Sequence, residues 1–477
     1  MSKPQNLLVI MSDEHNNRVM RHAGDAIVHT PNLDALAAAG TRFTAAYTPS
    51  PICVPARGAF ATGQPVHVSR CWDNAIAYDG TQGSWARALR DCGHRVASIG
   101  KLHYQGHAGQ DYGLSEMILP MQITNGTGDV TMLIRDPADV RETAAKKLLA
   151  QAGPGESEYT LYDRRVCAAA QTWLHEVPRG EKPWVLFVSM VAPHFPLTAP
   201  PEHFYRYARQ DLPVPKLWNA PLEERLPHPW LRAFGHRSDH YRHFKDGDLQ
   251  RALAGYYGLV SFLDENIGKI LRALEDSGQA ADTRVVYTSD HGDNLGTRGL
   301  WGKCTMYEES AGIPMIIAGA DVPAGHVSRT PVTLLDVAAT CLLETGAADA
   351  AADLPGASLV ALAAAPDEDR AALSQLHTYV PGGSFMLRSL RHKYVHYIDG
   401  PPQLFDMEAD PEELHDIAAT PDAAPILAEM RARLFAMLDP VAVDAAAKAD
   451  QRAWMARYGG EEEIRKRERA AYTPPPA

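Results

Sequence analysis

Apolar positions over the first 366 residues follow two alternating patterns. Compact runs at 7–11, 96–99, 185–191, 284–288 and 315–317 have the length and the aliphatic, β-branched content of buried strands. Between them, residues 30–40, 84–93, 249–278 and 332–346 carry helical spacing and helical punctuation. The first of these helices is the clearest, with Thr30 as N-cap, Pro31 in the opening turn and Gly40 as terminator. Strands alternating with helices predict an α/β fold with a mostly parallel sheet sandwiched by helices. Beyond this region the pattern changes. Residues 347–370 read as a loop and helix leading outward, and 385–388, 393–397 and 403–406 alternate as exposed antiparallel strands do. The expected organisation is a main α/β domain over 1–370, a small C-terminal α+β subdomain over 371–445, and a tail over 446–477. Trp454, Met455 and Tyr458 lie in charged helical sequence in that tail, which predicts a contact with a neighbouring subunit in a homo-dimer or tetramer.

Composition narrows the partners. A chain of 477 residues with 45% hydrophobic content can bury a large core. Its formal charge of −12, from 58 acidic and 46 basic side chains, argues against a nucleic-acid partner. An anionic small molecule would therefore need a local cationic pocket. The run at 7–11 is too brief for a signal sequence or a membrane span, and the run at 184–192 is strand-sized. The six cysteines are scattered without paired spacing, as in a reduced, cytoplasmic protein.

Candidate chemistry gathers where strands end, the side on which open α/β sheets hold ligands. Asp13 follows the first run, Lys101 and His103 the second, His194 the third, and Asp290 and His291 the fourth. Two carboxylates with an imidazole suit a hard divalent cation. The stretch Cys53-Val54-Pro55-Ala56-Arg57, with Thr62-Gly63 beyond it, fits no ordinary use of a cysteine and sets Arg57 one helical turn from Cys53. Lys303 stands thirteen residues after Asp290, and Asn74 twenty-one after Cys53.

Together these motifs resemble the type I sulfatases of the alkaline phosphatase-like superfamily, and the resemblance runs over most of the chain. It implies that Cys53 is oxidised by a formylglycine-generating enzyme to an aldehyde whose hydrate attacks a sulfate ester. It implies a divalent ion on Asp13, residue 53, Asp290 and His291: calcium first, with manganese (favoured by an imidazole ligand) or magnesium as alternatives. Arg57 would hold the hydrate and the carboxylates, Lys101 the sulfate, and His103 the proton whose removal releases sulfate. His194 and Lys303 would serve the leaving oxygen, and Asn74 would touch substrate. Glu14 stands where many members carry a second aspartate or a glutamine, which leaves open whether it binds the ion.

The expected activity is hydrolysis of aryl or alkyl sulfate monoesters. A phosphonate monoester or phosphodiester hydrolase is the nearest alternative, but those enzymes carry uncharged groups where this chain has Lys101 and His103. A choline sulfatase would want an acidic group and aromatic rings, and residues 374–377 offer Gln375 instead. Were Cys53 left unmodified, a non-catalytic anion-binding protein would remain.

Overall fold

The computed structural model describes residues 4–140, 143–238, 241–467 and 473–476. Eight strands form the main sheet: β1 Asn6–Asp13, β2 Gly40–Phe43, β3 Val96–Lys101, β4 Glu116–Met121, β5 Val185–Pro193, β6 Thr283–Ser289, β7 Met315–Ala318 and β8 His326–Ser328. Their order across the sheet is β8-β2-β7-β6-β1-β5-β3-β4. Only β7 runs against its neighbours, and β1, the central strand, pairs in parallel with β5 and β6. Alternate side chains of β1 enter two different cores. Leu7, Val9 and Met11 face one layer, while Leu8 and Ile10 face the other. A continuous apolar run is what a strand covered on both faces requires.

Helices α1 Pro31–Ala39, α3 Glu158–Glu176 and α4 Asp248–Asp276 cover one face, and α2 Cys53–Thr62 and α5 Leu334–Leu343 the other. Two helix starts differ from the sequence expectation. Thr30 does not cap α1 with its side chain. Asp264 of α4 does so instead, accepting from the Leu33 amide at 2.8 Å and the Asn32 amide at 3.2 Å. The pattern at 332–346 divides into a two-residue strand, Val332–Thr333, and α5, because the Thr333 hydroxyl and the Asp336 carboxylate form a capping box between them.

All ten residues of α2 are buried. Phe60 stacks at an angle on Trp85 and Phe187, with ring centroids 5.4 and 5.2 Å away, a burial worth roughly 1.5–3 kcal/mol. Gly63 ends the helix in the left-handed region at φ 65°, returning its N–H to the carbonyls of Ala59 and Phe60. The second sheet is antiparallel, β9 Ala372–Leu376, β10 Ser384–Arg388, β11 His392–Tyr397 and β12 Gln403–Asp406, in that order. Its strands are not exposed as their alternation suggests. Phe385 and Leu387 pack under α6 Ala424–Met437, whereas Met386 and Val395 face the main domain. Buried Lys393 fastens this sheet, 2.9 Å from Glu308 and 2.8 Å from Glu413.

Helix α7 Pro440–Arg457 and the short helix Glu461–Arg465 fold back on their own subunit. Trp454, Met455 and Tyr458 rest against Val130, Leu133 and Ile134 of the same chain, and Gln451 donates to Asp73 at 2.7 Å. All three stay half-buried there. Residues 468–472 and 477 of the tail lie outside the described residues.

Candidate active site

Four adjacent strands and one helix deliver the site. β1 ends at Asp13, β3 at Lys101, β5 runs into His194, and β6 is followed by Asp290 and His291. At Gly100, φ is 109° and an added Cβ would stand 2.0 Å from the Ser189 carbonyl oxygen. That close approach of β3 to β5, open only to glycine, sets Lys101 beside the centre of the sheet. The helix α2 starts at Cys53 and points its N-terminus into the same place. Its start has no side-chain cap from Ile52, and the Asn74 amide oxygen accepts from the Val54 N–H at 3.1 Å.

Arg57 is the organiser. Its Nε donates to Asp290 Oδ2 at 2.8 Å and its Nη2 to Asp13 Oδ2 at 3.0 Å, while Nη1 donates to the Lys101 carbonyl and to Ser189 Oγ, both at 2.8 Å. A guanidinium held in four directions fixes two carboxylates that would otherwise repel. Lys101 Nζ lies 2.6 Å from Asp13 Oδ2. Burial alone would raise the Asp13 carboxyl, but Lys101, His194 and Arg57 hold it well below the usual carboxylate range.

Around Cys53 Sγ stand His291 Nε2 at 3.1 Å, Lys303 Nζ at 3.2 Å and Asp13 Oδ1 at 3.8 Å. Burial, then the Asp13 charge, pushes the thiol up. Lys303 is driven the opposite way by burial, but Cys53, Glu14 and Asp13 prevail and raise it well above its ordinary value, so it remains an ammonium. Asp13, Cys53, Asp290 and His291 offer donor atoms within 4.8 Å of one another. His291 Nδ1 donates to the Gly292 carbonyl at 3.0 Å, which leaves Nε2 bare and turned toward Cys53. Two carboxylates, a bare imidazole nitrogen and the side chain of residue 53 fit a divalent cation.

Toward solvent the site opens into a cavity of about 110 Å³ lined by Cys53, Asn74, Lys101, His103, His194 and Lys303. Burial, with Lys101 and Arg57 nearby, keeps His103 unprotonated well below its ordinary range. Burial, with Lys303, does the same for His194, whose Nδ1 donates to the Phe195 carbonyl at 2.6 Å. All ten residues singled out from the sequence therefore converge on one place. Trp72 and Asp73, by contrast, turn away toward α7, to Asp450 and Gln451, and Gln375 pairs with His67 outside the cavity.

Apart from Trp301, in the stretch that carries Lys303, the other cavity residues carry no signal in the sequence. Tyr159, Phe195, Phe234, Trp301 and Tyr379 make much of the wall, with Asp129 among them, its Oδ1 accepting from the Thr131 N–H at 3.1 Å and hydroxyl at 2.6 Å. Thr473 comes from the far end of the chain. Its hydroxyl is 3.0 Å from His103 Nε2 and its carbonyl accepts from Tyr159 at 2.7 Å.

A cationic cleft with a poised residue at a helix N-terminus, at the carboxyl edge of a mostly parallel sheet, defines a hydrolase for small anionic esters. More particularly, the chain belongs to the sulfatase family, whose model matches residues 5–347. A second model, for the C-terminal part of N-sulphoglucosamine sulphohydrolase, matches residues 296–439. A choline-sulfatase of Rhizobium meliloti is 33% identical over 473 residues, covering 94% of this chain and 90% of that protein. Human arylsulfatase K is 27% identical over 450 residues, covering 87% and 79%. Among solved structures, the phosphonate monoester hydrolase of Agrobacterium radiobacter superposes with a TM-score of 0.72 at 23% identity, covering 93% of this chain and 96% of that one. A protein solved with its substrate D-glucosamine-2-N,6-O-disulfate gives 0.74 at 22%, covering 94% and 99%. These likenesses establish the fold, and the family establishes a sulfuric ester hydrolase.

Proposed function

We propose that the protein hydrolyses sulfate monoesters of compact alcohols or phenols, with Cys53 converted to formylglycine and a divalent ion on Asp13, residue 53, Asp290 and His291. The observation that carries this reading is the position of residue 53, at the start of a helix and within 3.2 Å of both His291 and Lys303. Cys53 is only 1% exposed, so a formylglycine-generating enzyme has to reach it before the chain folds. The aldehyde hydrate would supply the hydroxyl that attacks sulfur in line and, by carbon–oxygen cleavage, the release of sulfate. The ion would acidify that hydroxyl and neutralise sulfate oxygens. Calcium is the first expectation, with manganese or magnesium as alternatives, since the donors are mainly hard oxygens.

The chain's own residues do the remaining work. Arg57 donates to both the Asp13 and the Asp290 carboxylates and holds them side by side. Lys101, beside Asp13, receives a sulfate oxygen, and His103, held neutral, accepts the proton when the hydrate collapses. Lys303 and His194 line the same cavity and serve the departing oxygen. Asn74 fixes the helix start, and with it residue 53. Three cations, Arg57, Lys101 and Lys303, gathered in a protein of charge −12, provide the local attraction an anionic ester needs. No two of the six cysteines pair, which supports the cytoplasmic location.

A second reading, a choline ester, is favoured by the aromatic wall, which offers ring faces to a quaternary ammonium. Steady-state kinetics on an aryl sulfate, choline sulfate and an aryl phosphonate monoester separate the readings. The aryl or choline sulfate is expected to show the highest kcat/KM. A phosphonate preference would overturn the sulfatase assignment of this cavity. Replacing Lys101 and His103 together by uncharged side chains is expected to depress sulfatase activity by about 10² or more, the scale of lost general-base catalysis, and phosphonate activity less. Equal losses on both substrates would remove the reason for placing a sulfate there.

A further inference from the structure

Glu14 is the one buried acid of the site to which the mechanism assigns no role. Its backbone is pinned from both sides. The N–H donates to Asp290 Oδ1 at 3.2 Å, the carbonyl accepts from Tyr256 at 2.7 Å, and φ is 66°, in the left-handed region that a glutamate rarely adopts. That turn directs its side chain away from the Asp13–Cys53–Asp290–His291 group and into a second grouping with Asp13 and His194. There Oε2 lies 3.1 Å from Lys303 Nζ and 3.2 Å from His194 Nε2, while Oε1 is buried with no hydrogen-bond partner. A Cβ at Gly302 would stand 3.3 Å from that oxygen, so glycine keeps the space open. Both residues that Glu14 touches line the cavity, and Glu14 itself does not.

The geometry points to Glu14 as a positioning residue that ties Lys303 and His194 together behind the leaving oxygen, and not as a ligand of the cation. One Glu14 oxygen stands within 3.2 Å of both the Lys303 ammonium, which donates to it, and the His194 Nε2 edge, so the two side chains converge from different elements on a single point. Lys303, 3.2 Å from residue 53, is thereby held between the nucleophile and the departing group. Without the carboxyl group, the ammonium would lose its only described acid within 4 Å and could swing outward, and the His194 Nε2 edge would keep only Asp13, at 4.0 Å, beside it. The consequence is specific to the leaving group. Esters of acidic phenols depart without help, whereas esters of weakly acidic alcohols depend on the pair.

This rests on the reading of Lys303 and His194 as the leaving-oxygen pair, and the experiment separates the two claims. A series of aryl and alkyl sulfates of rising leaving-group pKa is run with the wild type, Glu14→Gln, Glu14→Ala and Lys303→Ala, alongside elemental analysis of each purified protein. Glu14→Gln fills the same space, so it carries the test even if Glu14→Ala fails to fold. Both Glu14 variants are expected to keep the wild-type metal content. They should retain kcat/KM for the best leaving groups within about threefold and lose about 10- to 100-fold for the poorest, a steeper dependence in which kcat falls more than KM rises. Loss of metal from Glu14→Gln would make Glu14 a ligand and overturn the proposal, as would an unchanged dependence in Glu14→Gln with a steeper one in Lys303→Ala. An unchanged dependence in Lys303→Ala would overturn the leaving-group reading itself.

Discussion

Cys53→Ala and Cys53→Ser are both expected to fold as the parent does and to lose sulfate-ester turnover by a factor on the order of 10³ or more, the scale on which removal of a nucleophile acts. In barrier terms that is about 4 kcal/mol. The serine variant is the more informative, because its hydroxyl fits the space of the thiol and can accept from Lys303, which stands 3.2 Å from Sγ. Its nucleophile is intact in kind. What it lacks is a second oxygen on the same carbon, so a sulfate adduct formed on serine can leave only by attack of water on sulfur, in a cleft crowded by buried cations. A brief burst followed by arrest is the expected time course with an aryl sulfate. Intact-mass measurement on the active wild type should find residue 53 as the aldehyde. Wild-type turnover in Cys53→Ser, or full activity in a protein whose residue 53 is still a thiol, would refute the formylglycine mechanism.

The parts of the site that were legible in the sequence are those whose position follows from local rules. Asp13, Lys101, His194 and Asp290 stand at or just beyond strand ends, and a parallel sheet brings the carboxyl ends of β1, β3, β5 and β6 together whatever the connections between them. Arg57 is one turn below Cys53 because both sit on α2. The parts that were not legible depend on close packing. Ser189 joins Arg57 only through the near contact of β3 and β5 at Gly100. Asn74 supplies the missing cap of α2 from a loop, a task no motif announces. The direction of Glu14 follows from one left-handed residue, and Thr473 reaches His103 from the far end of the chain.

The second sheet shows the same division. Its alternation of apolar and polar residues was read as one covered face and one exposed face. The polar positions are instead satisfied inside, with Lys393 between Glu308 and Glu413 and Tyr47 donating to the Glu308 carboxylate. Alternation records the chemistry of two faces, not their exposure, and only the chain that packs against them decides which is wet. The docking of α7 on Val130 and Leu133 is likewise a tertiary fact that its pattern does not carry.

Loss of the cation is expected to be as complete in its effect as loss of the nucleophile. Asp13→Asn and Asp290→Asn should each purify with less than about a tenth of the wild-type metal content and turn over an aryl sulfate more slowly by a factor on the order of 10³, because each removes one of two ionised donors from a four-donor group. Asparagine is the right replacement. Alanine at either position would leave Arg57, which is 1% exposed, short of a partner, and breaking a buried pair from one side costs roughly 3–5 kcal/mol. Folding loss would then be confused with metal loss. Asparagine keeps an oxygen that can accept from the guanidinium, at 3.0 Å for Asp13 and 2.8 Å for Asp290 in the parent. Asp13→Asn is expected to be the more severe, since Asp13 also faces Lys101 at 2.6 Å and contributes to both candidate cation groupings. A chelator should bring the wild type to the same low activity, and adding back calcium, manganese or magnesium singly should restore it to an extent that identifies the native ion. Full metal occupancy in both asparagine variants, or a chelated enzyme that keeps its turnover, would remove Asp13 and Asp290 from the cation site and leave Arg57 and Lys101 as their only counterions.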